Sequence, residues 1–326
     1  MNKNNLAIAI VCLCFFCLIV GILKLEKKPP IQQNIPDVSN IKIANPCIAL
    51  INVEGVISSE SPSSFLEQGF SANSVIAALE RAQKDKHVKG VVLRVNTPGG
   101  TVAASQDIYD AILRFRKEKP IVVSMADVAA SGGYYISSAA DRIVAQKGTM
   151  TGSIGVIFNF VDAAQLIEKI GVNSNVIKSG KFKDAGSPYR KMTNDEQQLF
   201  QSSVNGAYKQ FITAIEEGRI NRDDKYSVEK TNLTKENLEK FADGRVFLGD
   251  EAKELGFVDS LGSQYDAHRI IAQMAGETTD TLPLVQYNKG FTFGGTFFAL
   301  DGLFKMPKNI LPFSLKKSNM PLMIME

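Results

Sequence analysis

The sequence predicts an α/β fold in which helices cover a mostly parallel sheet. Two observations support this: apolar runs of strand length alternate with segments of helical period, and glycine-bearing turns follow several of the runs. With 326 residues and 44% hydrophobic content, the chain is long enough and apolar enough to bury a full core. We therefore expect strands joined by crossover helices within one folded domain.

The first part of this domain alternates regularly. Residues 47–53, 90–95 and 121–123 are apolar runs typical of buried strands. The segments between them, the first at residues 74–86, have a helical apolar period. The apolar positions of the two predicted helices are Val75, Ala78, Leu79 and Ala82 in the first, and Ile108, Ile112 and Phe115 in the second.

The second part continues the alternation. We expect a helix within residues 126–141, a short strand at 142–145, a helix at 161–170 and a strand at 172–177. A longer helix is predicted to begin at Thr193, where the sequence TNDE has the pattern of a capping box closed by the glutamate three residues later.

An uncharged apolar run begins at Leu6 and ends at Leu23, which is the length that a helix needs to cross a bilayer. It passes directly into a stretch rich in lysine and proline, with no small-residue cleavage site, so we predict an uncleaved anchor. The predicted organisation is an anchor at residues 1–28, a proline-rich linker at 29–46, a domain at 47–275 and a tail at 276–326.

Composition argues against several function classes. The 37 basic and 34 acidic residues leave a net charge of +3, which is too small to indicate a nucleic-acid partner. Cys12, Cys14 and Cys17 lie within the apolar run, so Cys47 has no partner for a disulfide or a metal cluster. The sequence contains no HExxH, CxxC or P-loop pattern, and we expect no metal and no other cofactor.

Three glycine-bearing turns follow predicted strands, at residues 97–100, 130–133 and 149–155. Because the carboxyl ends of parallel strands lie at one edge of a sheet, these turns are expected to meet in one crevice. Ser131 lies in the second turn, at the start of a helix. It is either an N-cap, or a nucleophile whose own amide donates to an oxyanion and whose small neighbours leave room for a carbonyl.

A nucleophilic serine needs a base, and histidine has no support as that base. His87 lies in a polar turn and His268 in a late helix, so neither is near a serine of special setting. Lysine is the usual substitute, and burial can lower the pKa of its amine from about 10.4 toward neutrality. Lys178, Lys181 and Lys183 are the candidates, and physical reasoning alone does not choose among them.

Four motifs occur in order: NTPGG at residues 96–100, AASGGYY at 129–135, TGSIGV at 151–156 and SGKFKD at 179–184. GRVF at 244–247 and LGFVD at 255–259 follow them. Together they resemble the motifs of signal peptide peptidase A, the S49 family of Ser-Lys peptidases. The resemblance covers roughly residues 48–262.

The resemblance implies a role for each matching residue. Ser131 corresponds to the nucleophile, Lys183 to the general base and Ser153 to the hydroxyl that holds the lysine amine. Gly100, with Gly99 as the second choice, corresponds to the oxyanion amide that acts together with the N–H of Ser131. The resemblance also implies a fold like that of crotonases and Clp proteases, and a ring-shaped homo-oligomer in which neighbouring subunits help form the groove.

The implied function is that of a membrane-anchored serine endopeptidase that degrades remnant signal peptides and other unfolded apolar peptides. The implied location is the plasma (inner) membrane, with the catalytic domain on the extracytoplasmic side. The charges beside the apolar run point the other way, because Lys3 precedes it while Lys24, Lys27 and Lys28 follow it. We follow the resemblance, since a large domain can translocate despite flanking lysines.

Two other functions would use the same turns. A crotonase-like acyl-thioester enzyme would bind a thioester enolate with the Gly-Gly amides, but it needs no lysine beside the serine. A catalytically silent scaffold that binds peptides in a ring would need the groove without a working dyad. Cleavage of an apolar peptide, and its loss in Ser131→Ala and Lys183→Ala variants, separates the peptidase from both.

Overall fold

The fold is taken from a computed structural model, which describes residues 45–59, 69–221, 231–279 and 281–288. Within these ranges, no helix is both long enough and apolar enough to span a bilayer. The predicted anchor, most of the linker and the end of the predicted tail lie outside the described residues.

Strands and helices alternate along the described chain. The strands are β1 Cys47–Glu54, β2 Val56–Ser58, β3 Gly69–Ser71, β4 Val88–Thr97, β5 Ile121–Ala130, β6 Arg142–Ala145, β7 Met150–Gly152, β8 Val246–Leu248, β9 Ser260–Leu261 and β10 Leu284–Gln286. The helices are α1 Ala72–Lys84, α2 Val102–Arg116, α3 Gly132–Ser138, α4 Ala164–Lys169, α5 Asn194–Ile215, α6 Lys235–Phe241, α7 Gly249–Glu254 and α8 Gln264–Met274. A π-helical turn, Glu216–Ile220, continues α5.

The main sheet has the strand order β10-β1-β4-β5-β6-β9, and every pair along this path is parallel. Strand β7 pairs in parallel with the end of β5, and β8 pairs antiparallel with β7. Strands β2 and β3 form a separate parallel pair. The prediction of a mostly parallel sheet covered by helices is confirmed.

Helices bury both faces of this sheet. The apolar positions predicted for α1 and α2 are all buried in the larger core, which confirms both helical faces. On the opposite face, Val92, Val122 and Val144 pack against Ala267 and Ile271 of α8. With apolar residues on both faces, the central strands read as continuous hydrophobic runs, as strands of a doubly covered parallel sheet do.

Strand β5 is longer than the sequence indicated. Its pairing with β4 shifts between Val95, which lies opposite Met125, and Thr97, which lies opposite Ala129. Two extra residues are therefore accommodated in β5 as an irregularity, and the strand continues to Ala130. The helix predicted within residues 126–141 is correspondingly reduced to α3.

The strand predicted at residues 172–177 is wrong, because these residues form no strand in the structure. Their apolar side chains are exposed, and that of Ile177 is fully so. The helix predicted at 161–170 is present only as the short α4, which has no buried residue. These apolar residues have the composition of core elements, but no part of the described chain covers them.

The folded part extends past the boundary predicted at residue 275, because β10 adds to the edge of β1. Beyond β10, the side chain of Asn288 continues the pairing. Its Oδ1 accepts from the N–H of Asn52, and its Nδ2 donates to the carbonyl of the same residue, both at 2.7 Å.

Residues 155–193 form a largely exposed segment, here called the arm. The arm packs onto α5 through Phe158 and Phe160, whose rings lie 5.9 and 4.4 Å from that of Phe200. Many large apolar side chains of the arm remain exposed: Ile157, Phe158, Phe160, Val161, Leu166, Ile170, Val172, Val176, Ile177, Phe182 and Tyr189. An exposed apolar surface of this extent indicates an interaction site.

The arm is joined to the start of α5 by ion pairs. The predicted capping box is confirmed: Thr193 Oγ1 accepts from the N–H of Glu196, and Glu196 Oε2 accepts from the N–H of Thr193. Arg190 binds both Glu196 and Asp184, with Nη1–Oε2 and Nε–Oδ2 distances of 2.9 Å. The Arg190 guanidinium, followed by the Thr193 N–H, lowers the pKa of Glu196 to about 2. Arg190 and then Lys178 hold the pKa of Asp184 well below its usual range.

We predict that acid detaches the arm from α5 before the domain unfolds. Both carboxyl groups have depressed pKa values, so their ion pairs stabilise the ordered arm above about pH 4.3 and lose that effect as the pH falls toward 2. The chain has no tryptophan, so a Tyr189→Trp variant places a single tryptophan on the arm, whose fluorescence can be excited selectively. Its emission should change between about pH 4.3 and 2, while circular dichroism stays constant.

The matched control is Glu196→Gln in the same background, which removes one of the two titrating groups. In this variant the arm should already be loosened at neutral pH, so the change in tryptophan emission on acidification should be smaller. An emission change that coincides with global unfolding would contradict this prediction.

A buried ion pair lies beneath α3. The side chains of Arg219 and Asp259 are fully buried, and Arg219 Nη2 bonds to Asp259 Oδ1. Asp259 Oδ2 also accepts from the N–H of Ile143 at 2.7 Å, which ties the pair to β6. Within the described residues, Arg219 Nε and Nη1 have no hydrogen-bond partner. The guanidinium therefore depends on Asp259 for its neutralisation.

We predict that Asp259→Ala lowers the free energy of unfolding by about 3–5 kcal/mol, because it leaves a charged guanidinium buried and unpaired. Asp243→Ala is the control, since it removes an exposed pair with Arg245 and should change stability little. Urea unfolding measures both. Equal effects of the two substitutions would contradict the prediction.

Candidate active site

The three predicted glycine turns meet at one edge of the sheet, as expected. The N–H of Ser131 donates to the carbonyl of Gly152 at 2.9 Å, which joins the second turn to the third. The first turn lies equally close, because a Cβ added to Gly99 would be 2.7 Å from the amide nitrogen of Gly132. The structure thus brings the predicted turns together at the carboxyl ends of β4, β5 and β7.

Ser131 has an unusual backbone conformation, with φ 53° and ψ −118°. A serine at positive φ costs about 1–3 kcal/mol and persists only where its surroundings fix it. Two backbone bonds fix it here: the bond to Gly152 and a 2.9 Å bond from the N–H of Tyr135 to the Ser131 carbonyl. Its side chain makes no capping bond to α3, so its hydroxyl is not an N-cap. Ser131 lies half-buried at the turn between β5 and α3.

Gly100 lies directly against the backbone of β2. A Cβ at this position would be 1.9 Å from the carbonyl oxygen of Ile57, so only glycine fits. Two bonds of 2.9 Å hold the contact, one from the N–H of Ile57 to Gly99 and one from the N–H of Thr101 to Ile57. Strand β2 therefore sets the position of the first turn.

Two backbone amides near Ser131 are left available. Among the described residues, the N–H groups of Gly100 and Gly132 have no hydrogen-bond partner. They lie close together, because a Cβ added to Gly132 would be 3.2 Å from the Gly100 nitrogen. Sequence reasoning named Gly100 and Ser131 as the oxyanion donors. The Ser131 N–H is occupied by Gly152, so the role predicted for it would require that bond to break.

The Gly132 amide was missed from the sequence. The signal that could have found it is its position: Gly132 opens the helix that follows Ser131, and the first amide of a helix has no partner within that helix.

Buried hydroxyl groups hold the turns from behind. Thr97 Oγ1 accepts from the N–H of Gly99 at 3.0 Å, and Thr151 Oγ1 donates to the carbonyl of Ala129 at 2.8 Å. Ser105 Oγ donates to the carbonyl of Thr101 at 2.9 Å. Thr97 and Thr151 lie in the quoted motifs, but no role was predicted for any of these three hydroxyls, because the sequence does not show which backbone group a Ser or Thr will bind.

Aromatic packing fixes α3 against α2 and α5. The ring of Tyr135 lies 5.1 Å from that of Tyr109 and 5.0 Å from that of Phe211. Tyr109 also donates from its hydroxyl to the carbonyl of Ala214 at 2.8 Å. Burial raises the pKa of both tyrosines, so they stay neutral at physiological pH. Their role is to hold the helix rather than to transfer protons.

The three candidate lysines have different partners. Lys178 Nζ binds Asp184 at 2.5 Å and Lys181 Nζ binds Asp195, whereas Lys183 Nζ has no hydrogen-bond partner among the described residues. The side chain of Lys183 is exposed on the arm. The amine without a hydrogen-bond partner among the described residues is therefore that of Lys183, the residue that the resemblance named as the base.

Ser153 also adopts a positive φ, of 50°, and its N–H donates to the carbonyl of Arg245 at 2.7 Å. In the described part of this single chain, no hydrogen bond joins Ser131, Ser153 and Lys183 through their side chains. Their predicted catalytic roles remain predictions.

The two histidines lie away from the glycine turns. His268 lies in α8, the helix that covers the opposite face of the sheet. Its Nε2 is 2.7 Å from the carbonyl oxygen of Leu282. His87 precedes β4, at the amino end of the strand, whereas Ser131 follows the carboxyl end of the parallel neighbour β5. Neither is placed to serve Ser131 as a base.

Comparison with known proteins identifies the family. The model of peptidase family S49 matches residues 114–277, which include Ser131, Ser153 and Lys183, and the Clp protease model matches residues 65–150. A putative protease of Methanocaldococcus jannaschii is 36% identical over 78% of this chain and 78% of its own length.

Two further relatives extend the likeness. A putative signal peptide peptidase SppA of Enterococcus faecium is 38% identical over 69% of this chain and 62% of its own length. The chloroplastic serine protease SPPA of Arabidopsis thaliana is 34% identical over 70% of this chain and 32% of its own length. The chain belongs to peptidase family S49 and is a serine-type peptidase.

Proposed function

We propose that the protein is a membrane-anchored endopeptidase that uses a Ser131–Lys183 dyad to degrade remnant signal peptides and other apolar peptides. The observation that carries the proposal is the setting of Ser131: a strained serine beside two unbonded amides in a chain of peptidase family S49. Family membership favours peptide cleavage over thioester chemistry, which needs no such nucleophile.

The proposed reaction begins when Ser131 Oγ attacks a peptide carbonyl while Lys183 Nζ takes its proton. The carbonyl oxygen becomes an oxyanion, and two amide N–H groups stabilise it. The lysine then protonates the leaving amine, and an acyl-serine ester remains. Water attacks this ester with the same amine as base, which releases the acid and restores the hydroxyl.

Gly100 supplies one of the proposed oxyanion donors. For the second, two amides compete: that of Ser131, as the resemblance implies, and that of Gly132, which is the unbonded one. Gly99 lies beside them and has φ 107°. Its proposed contribution is to let the first turn lie close to Gly132, rather than to donate a hydrogen bond to the oxyanion.

A second copy of the chain is proposed to complete the site. Lys183 is exposed, and the surrounding arm exposes a large apolar surface. If the arms of neighbouring copies pack together in a closed ring, that surface is buried and Lys183 is desolvated beside the Ser131 of another copy. Desolvation is what a lysine base requires to work near neutral pH.

The proposed location follows from the N-terminal apolar run. Residues 6–23 would anchor the ring in the plasma (inner) membrane, with the catalytic domain on the extracytoplasmic side. In that position, the ring would receive apolar peptides that are released within the membrane.

We predict that Ser131→Ala and Lys183→Ala each abolish cleavage of an apolar signal-peptide mimic, while each protein still folds. Mixing the two inactive variants before assembly tests whether the dyad forms between copies. A dyad shared between neighbours should recover about a quarter of the parent activity in a random one-to-one mixture, because a quarter of the sites pair an intact serine with an intact lysine.

Full cleavage by Ser131→Ala alone or by Lys183→Ala alone would contradict the proposed dyad. Recovery of no activity in verified mixed rings would mean that both residues act within one chain.

We predict that Gly100→Ala lowers kcat by about 10²–10³-fold, because the added methyl group displaces an oxyanion amide. Its Cβ would be 1.9 Å from the Ile57 carbonyl oxygen, so the turn must move. Gly148→Ala is the matched control, since nothing lies within 4 Å of the added group. Peptide cleavage and thermal unfolding are measured for both, and equal kcat values would contradict the prediction.

A further inference from the structure

An ionic network surrounds the turn that carries Lys183. The Arg190 guanidinium uses all five of its N–H groups: Nε and Nη2 bond to the side chain and carbonyl of Asp184, and Nη1 and Nη2 bond to both carboxylate oxygens of Glu196. The fifth N–H donates to the carbonyl of Lys191 at 3.2 Å. Arg190 thus joins the lysine-bearing turn to the first turn of α5.

This network leaves the amine of Lys183 without a carboxylate. Asp184 follows it directly, but its Oδ1 binds Lys178 at 2.5 Å and its Oδ2 binds Arg190 at 2.9 Å. Both oxygens are therefore occupied by other cations. Without them, the freed carboxylate would be within reach of the adjacent lysine, and an ion pair would keep that amine protonated.

The backbone of the turn is held by hydrogen bonds within residues 180–187. The N–H groups of Lys183, Ala185 and Ser187 donate to carbonyls three residues earlier, at 3.1–3.2 Å. Asp184 supplies the last of these carbonyls and is itself held from both sides. The turn is thus fixed while the Lys183 side chain is free.

The charges around the turn are close to balanced. On the arm lie Lys178, Lys181, Asp184 and Arg190, and on α5 lie Asp195 and Glu196. Lys181 pairs with Asp195, and the other four residues form the network around Arg190. These pairs contain three cations, from two lysines and one arginine, and three carboxylates. Each carboxylate of these pairs is thus matched by a cation other than Lys183.

We infer that Arg190 is a positioning residue, which keeps Asp184 away from Lys183 so that the lysine amine is free to act as the base. This inference rests on the proposed function, because it assumes that Lys183 is the base. Arg190 acts through Asp184 and contacts neither the nucleophile nor the oxyanion amides among the described residues.

The test uses the full-length enzyme and an apolar signal-peptide mimic. In Arg190→Gln, Asp184 Oδ1 keeps its bond to Lys178 but Oδ2 is released to pair with Lys183. We expect kcat to fall about tenfold and its pH midpoint to rise by about one unit. KM should change little, since no substrate contact is removed. Adding Asp184→Asn to this variant removes the competing carboxylate and should restore the original pH midpoint.

The matched control is Arg269→Gln, which removes an exposed arginine paired with an aspartate on α8. It should leave kcat, KM and the pH midpoint unchanged. If Arg190→Gln fails to fold, Arg190→Lys keeps the charge without bridging both carboxylates, and it should raise the pH midpoint by a smaller amount.

The outcomes separate the two proposals. An active Lys183→Ala variant defeats the proposed dyad. If Lys183→Ala is inactive, an Arg190→Gln enzyme with the parent pH midpoint overturns the inference alone. A lowered kcat without a shifted midpoint, or a shift that Asp184→Asn does not reverse, would mean that Arg190 only stabilises the arm, and this also overturns it.

Discussion

Direct contact between backbones at the ends of three strands determines the geometry of the active site. At Gly99, Gly100 and Gly132, a single added carbon would collide with a neighbouring main chain or side chain. Ser131 can retain its positive φ because its amide is held by the third turn. Ser131 is consequently part of the sheet framework.

Helix α5 links this framework to the arm. At its end, the π-helical turn brings Gly218 against the backbone of Ser138 in α3, where an added Cβ would be 2.2 Å from the carbonyl oxygen. At its start, Glu196 holds the arm through Arg190. A helix of 22 residues spans about 33 Å, so its direction determines where the lysine-bearing turn lies. In an assembly, this helix would set which neighbour receives that lysine.

Local patterns in the sequence were sufficient to predict the central strands, their covering helices, the meeting of the glycine turns and the capping box at Thr193. They failed at residues 172–177, because a short apolar run has the same composition whether its own chain or another one covers it. They also did not indicate that the Ser131 N–H is bonded to Gly152 while the Gly132 N–H is unbonded. That difference depends on the pairing of β7 with β5, which joins residues distant in sequence. Strand β10 was missed for the same reason, since three residues gain their structure only from β1.

The side chain of Asn288 has a consequence for an enzyme that acts on extended peptides. An open sheet edge offers a row of unpaired N–H and C=O groups, on which any unfolded chain can add as a further strand. At Asn52, both groups are already satisfied by the Asn288 amide, and β10 itself is only three residues long. A peptide that paired with β1 there would lie at the edge of the sheet, separated by β1 and β4 from β5, which leads to Ser131. By bonding both groups of Asn52, one asparagine side chain removes a pairing position from that edge, near the end of the sheet at which Ser131 follows β5.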